Sequence, residues 1–222
     1  MKSIFLITAF LVTCIHIQAQ VNPQTQDPEA GKILEKVSAR FSSLPSLQTD
    51  FELIINDRKE NKKNSSSGNL VMKQNKYKLT SEGNIVYFDG KTMWSYITAN
   101  NEVTITEPEV NKTDFLSNPS SFFSSYKSEF KYRYVGASTR NGIPCHEIDL
   151  FPMNLDQPYS RIKVYINKAT DLPEAITSVG KDGVDYTVNL KNTILNKDFP
   201  DSTFVFNLAQ HKKAEVVDMR GL

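Results

Sequence analysis

The stretch NIVYFDGKTMWSYITANNEVTITEP, residues 84–108, sets Ile85, Val86, Tyr87, Phe88, Met93, Trp94, Tyr96, Ile97, Val103 and Ile105 around two turn signals, Asp89-Gly90 and Asn100-Asn101. Short apolar runs joined by such dipeptides read as antiparallel strands in tight hairpins. Working outward, GNLVMK and KYKLTSEG precede the stretch across a Gln74-Asn75 turn. KYRYVGAS, IPCHEIDLFP, YSRIKVYINK, LPEAITSVGK and VDYTVNLKNT follow it, with turns at Asn141-Gly142 and Asp182-Gly183. The result is a meander of ten or eleven strands.

Ahead of the meander, Phe51, Leu53 and Ile55 alternate with Asp50 and Glu52, the period of a half-buried strand. NDRKENKKNSSSG after it reads as a long solvated hairpin loop. Upstream, Asp27 fits an N-cap, Pro28 the first helical position and Glu29 the first turn. Ile33, Leu34, Val37, Phe41 and Leu44 form one apolar stripe, and Pro45 stops the helix. The Ser- and Phe-rich segment TDFLSNPSSFFSSYKSEF predicts one or two short helices capped at Thr113 or Asn118. The expected fold is mainly β (α+β): a single curved antiparallel sheet with an N-terminal helix and a central helical insert.

Met1-Lys2, the apolar run Ile4–Ile15 and the small Ala19 have the layout of a cleavable export signal, so residues 1–19 are read as signal peptide and 20–222 as one domain. Lipidation of Cys14 is the alternative, disfavoured by Thr13 where such signals carry a small residue. After cleavage only Cys145 remains, which excludes an internal disulfide. Lys and Arg number 26 against 25 Asp and Glu, so no excess charge favours nucleic acid.

Catalytic signatures are weak. FDGKT echoes a phosphate-binding loop, but the glycine required five residues before Gly90 is Ile85, and a hairpin turn is the better reading. HExxH, GxSxG and CxxC are absent from the sequence, and no His, Cys or carboxylate grouping has metal-ligand spacing. His146 shares strand parity with Ile148 and Leu150, as a hydrogen-bonded core histidine would. Asp50 and Glu52 read as a solvated strand face. The chain is expected to be no enzyme, with neither cofactor nor metal; a hydrolase of envelope lipids is the reading from a different class.

What stands out is the apolar load. Parity gathers Phe51, Leu53, Ile55, Leu70, Met72, Tyr77, Leu79, Ile85, Tyr87, Trp94, Tyr96, Val103, Ile105, Ile148, Leu150, Ile162 and Val164 on one face, with a single long helix and the FLSNPSSFF insert to cover it. From the residues alone, an ordinary core and a concave lipid cavity under a movable lid both remain open.

Four segments resemble the LolA family of periplasmic lipoprotein carriers. GNLVMKQNKYK resembles its Gly-x-Leu strand and the strand after it, and YFDGKTMWSY resembles its Asp-Gly-Lys-Thr-aromatic hairpin. YSRIKVYINKATDLPEAITSVGKDG resembles the paired strands after the insert, and FPDSTFVFNLAQHKKAEVVDMR its Phe-x-Phe terminus with a Val-Asp-x-Arg ending. The resemblance implies an incomplete barrel whose concave face binds acyl chains, with the helices as lid. The lining it implies is Phe51, Leu53, Leu70, Met72, Tyr77, Trp94, Tyr96, Ile105, Phe122, Phe123, Ile148, Leu150, Ile162 and Val164. It further implies a monomeric carrier that takes acylated lipoproteins from an inner-membrane ABC-type releasing complex toward an outer-membrane acceptor, without nucleotide. The alternative in the same fold is an anchored receptor or a lipid-sensing envelope regulator. Where the family has an arginine bonded to the lid, this chain has Gln74, the candidate gating position.

Overall fold

The computed structural model describes residues 26–107 and 119–221. Helix α1 (Pro28–Ser43) is followed by β1 (Leu47–Asp57), β2 (Lys62–Lys73), β3 (Lys76–Ser81), β4 (Asn84–Phe88), β5 (Met93–Ile97) and β6 (Glu102–Thr106). Helix α2 (Pro119–Glu129) leads into β7 (Phe130–Arg140), β8 (Ile143–Pro152), β9 (Tyr159–Asn167), β10 (Pro173–Gly180) and β11 (Val184–Leu195). A 3-10 turn (Asp201–Phe204) and β12 (Glu215–Asp218) complete the order. The strands form one curved, unclosed sheet, β12-β6-β5-β4-β3-β2-β1-β11-β10-β9-β8-β7. The expected mainly-β architecture with its two helical segments is what forms. The export signal, Cys14, Thr113 and Asn118 lie outside the described residues.

Local chemistry explains the elements. Asp27 caps α1 by accepting from the Glu29 and Ala30 backbone N–H groups. Its other carboxylate oxygen accepts from Tyr134 N–H, and its own N–H donates to the Tyr132 carbonyl, which ties the start of the helix to edge strand β7. Asp89 accepts from the N–H groups of Lys91 and Thr92, and Gly90 has φ +101°, so FDGKT is a hairpin turn. Gly68 pairs with Phe51, and a Cβ there would lie 2.2 Å from the Phe51 ring, so glycine is what lets that ring lie across β2.

Three expectations are corrected. NDRKENKKNSSSG is mostly strand: β1 runs to Asp57 and β2 starts at Lys62, because their ladder continues through Ile54↔Ser65 to Asp57↔Lys62. A twelfth strand forms at Glu215–Asp218, too short and too exposed to show a burial period. It pairs parallel to β6, so the sheet is not wholly antiparallel.

Candidate functional site

Cross-strand partners share a face, so the register fixes which side chains meet. Following Tyr132↔Leu150, Leu150↔Ile162, Ile148↔Val164, Val164↔Ile176 and Ile176↔Val188 across β7 to β11, the same face continues through Val188↔Leu53 and Leu190↔Phe51 into β1. It then runs through Met72↔Tyr77, Tyr77↔Phe88 and Phe88↔Met93 to β5. These residues belong to one apolar cluster on the concave side, together with Ala30, Ile33, Leu34 and Val37 of α1 and Phe122, Phe123 and Tyr126 of α2. The two helices lie over this face.

The sequence-predicted lining divides. Phe51, Leu53, Leu70, Met72, Tyr77, Phe122, Phe123, Ile148, Leu150, Ile162 and Val164 come together in that cluster. Trp94, Tyr96 and Ile105 do not. Tyr87 pairs with Trp94, Ile85 with Tyr96, and Trp94 with Ile105, which puts all of them on the convex back of the sheet. There Tyr96, Val103 and Phe206 form a separate cluster with Ile85, Tyr87 and Trp94 against them. The physical reason is that β4 is apolar at both parities, and the segment after β11 supplies a distant cover for the second face. Phe206 lies 5.8 Å from the Tyr87 ring and 5.1 Å from Tyr96, and His211 stacks on Phe206 at 4.8 Å.

In place of that trio, Val86, Phe88 and Met93 complete the concave face of β4 and β5, with Tyr132 and Tyr159 at the other side. Sequence reasoning missed these five. Their signal was register: once Tyr77 is inside, its partner Phe88 and then Met93 must be inside too.

The concave surface is almost purely apolar. The Tyr77 hydroxyl donates to Met93 Sδ at 3.5 Å, and burial pushes the Tyr77 phenol up to about 12. Half-buried His146 bonds the Tyr134 hydroxyl through Nδ1 at 3.1 Å, and desolvation lowers its pKa. On the convex side, Asp149 is buried between Arg133 at 2.8 Å and Arg161 at 3.3 Å. Gln74 is an exposed residue with φ +55° in the β2–β3 turn. Among the described residues the concave face is filled by the chain's own side chains.

Helix α2 packs on α1 within the same apolar cluster, and two of the contacts between them are specific. Phe123 stacks on Phe41 with ring centroids 4.8 Å apart, and the Lys127 ammonium donates to Glu35 at 2.6 Å. The segment after β11 is tied to the opposite face by polar contacts and a strand pairing. Lys73 and Lys76 pair with Asp201, Lys73 also donates to the Phe199 carbonyl, and Asn101 donates to the Lys213 carbonyl. β12 then adds its ladder to β6.

A curated relative, an uncharacterized protein from Methanocaldococcus jannaschii, is 26% identical over 184 residues, covering 82% of this chain and 52% of the relative. The chain thus spans about half the length of the curated relative it matches. Among solved structures, an uncharacterized conserved protein from Thermus thermophilus is 15% identical, with a TM-score of 0.54 over 86% of this chain and 99% of that one, and shows the same fold. A LolA superfamily protein from Nitrosomonas europaea is 10% identical, covering 80% and 97%, with a TM-score of 0.43. The family described as outer membrane lipoprotein carrier protein LolA matches residues 24–148, more than half of the sequence. The chain belongs to the LolA family.

Proposed function

We propose that this protein is a noncatalytic periplasmic carrier that shelters the acyl chains of lipoproteins on its concave face, accepts them from an inner-membrane ABC-type releasing complex and delivers them to the outer membrane. The observation that carries the reading is the continuous apolar face from β7 to β5, roofed by α2 through Phe122 and Phe123. Cargo would displace those rings and occupy their place. No cofactor or nucleotide enters the scheme.

Physics sets the requirement. Each buried CH2 is worth roughly 0.8 kcal/mol, so a 16-carbon chain resists entering water by on the order of 10 kcal/mol. A soluble shuttle must hide it, yet must hold it less tightly than the receiving membrane does. Covering the site with the chain's own aromatic rings meets both needs. In the free protein those rings shield the apolar face from water, and bound cargo must work against the return of α2.

The test is release. Purified protein is added to spheroplasts carrying a labelled, outer-membrane-destined lipoprotein, and the supernatant is assayed for a soluble complex. A one-to-one complex supports the carrier; folded protein that yields none overturns it.

A further inference from the structure

The loop between β8 and β9 carries Leu155, 77% exposed and the most exposed of the large apolar residues among those described, with Met153 at 43% two positions away. This exposure is built. Met153 N–H donates to the Glu129 carbonyl at 2.8 Å, Asp156 N–H to Asn154 Oδ1 at 2.9 Å, Lys181 N–H to the Pro158 carbonyl at 2.9 Å, and the Lys181 ammonium to the Leu155 carbonyl. The loop is thus clamped to the last residue of α2 on one side and to the β10–β11 turn on the other. Directly beyond it, Tyr159 and Phe130 belong to the apolar concave cluster.

The geometry points to this loop as a membrane-touching element: Met153 and Leu155 enter the acyl boundary of a phospholipid bilayer and place the end of the concave face beside α2 against the lipid. Two observations favour a bilayer over a protein partner. Two side chains fall far short of the roughly 800 Å² per partner of a stable protein interface, whereas reversible contact with a bilayer scales with the apolar area inserted and has no such threshold. The surroundings are also balanced in charge. Residues 57–63, 153–157 and 181–185 hold Arg58, Lys59, Lys62, Lys63 and Lys181 against Asp57, Glu60, Asp156, Asp182 and Asp185. The β1–β2 hairpin belongs to this end because Arg58 donates to the Gly180 carbonyl at 2.8 Å. Attachment is therefore apolar and indifferent to lipid charge.

The use of such contact rests on the carrier reading, but the contact itself does not. Protein purified in the form its host exports is floated with vesicles of phosphatidylcholine and, separately, of phosphatidylethanolamine with phosphatidylglycerol. The wild-type chain floats with both, with little change between about 50 and 500 mM salt. The M153D/L155D double variant, altered only at exposed positions, partitions about tenfold less with an unchanged melting temperature. In a separate L155W variant the added tryptophan shifts to the blue on vesicles and is quenched by brominated acyl chains.

Equal flotation of wild type and double variant, no flotation of wild type, or crosslinks from position 155 to an envelope protein in place of lipid each overturn the inference. A soluble complex in the spheroplast assay without loop-dependent flotation sinks this inference alone. Loop-dependent flotation without a complex sinks the carrier reading alone.

Discussion

The two faces of β4 and β5 both carry large apolar side chains yet are closed in different ways. Inside, Val86, Phe88 and Met93 lie toward α2, whose Phe122, Phe123 and Tyr126 are buried among side chains and whose Phe123 and Lys127 meet α1 through a ring stack and an exposed ion pair. Outside, Tyr87, Trp94 and Tyr96 lie under a segment fixed by lysine–aspartate pairs, side-chain to carbonyl bonds and a strand ladder. The outer cover continues the sheet through backbone pairing, whereas α2 meets the sheet through side chains only, so the two covers differ in kind of attachment. Apolar content thus does not distinguish the two faces; the way each cover is attached does.

The comparison can be broken by substitutions on either side. Phe204→Ala in the outer cover removes a fully buried ring and should cost about 3–5 kcal/mol in urea unfolding. Cargo retention per folded molecule should not change. Phe122→Ala in the inner cover, also fully buried, should cost less, about 2–3 kcal/mol, since α2 can settle into the space. Its retention of acylated cargo should fall about tenfold in a competition assay. A larger stability loss for Phe122→Ala than for Phe204→Ala would reverse the assignment of fixed and movable covers.

Trp94→Ala sharpens the same point: half-buried on the back, it should cost about 1–2 kcal/mol and leave cargo retention unchanged. Reduced retention would return Trp94 to the binding face. Lys127→Ala should have the smallest effect, a barely measurable change in melting temperature with somewhat faster cargo exchange. Lys127 holds the Glu35 carboxyl below its ordinary pKa, first by hydrogen bonding and then by charge. The pair therefore contributes from the ordinary carboxylate range upward, and its contribution is lost as pH falls through Glu35's lowered value. Wild type and Lys127→Ala should accordingly converge in acid.

Much of this was legible in the chain. Asp27-Pro28 announced α1, the turn dipeptides separated the strands, and alternation chose the inner face wherever one parity was polar, as in Phe51-Glu52-Leu53. It failed where both parities were apolar. In NIVYF, Ile85 and Tyr87 compete with Val86 and Phe88, and local pattern holds nothing to choose between them. The choice is made by Phe206, which no period of 2 or 3.6 connects to Tyr87. β12 escaped for a related reason. Four exposed residues become a strand only because β6 offers an edge. The Leu155 loop carries no sequence signal of its own; its exposure and its clamps are visible only in the structure.

The pairing of residue 47 with residue 195, and of 102 with 215, has a consequence for how the protein comes to exist. Neither the join between the two halves of the sheet nor the outer cover can form until the chain is available through residues 195 and 215 respectively. Contacts this distant in sequence make closure slow. A chain emerging from its N-terminus would hold Tyr87, Trp94 and Tyr96 bare until residues 206–218 arrive to cover them.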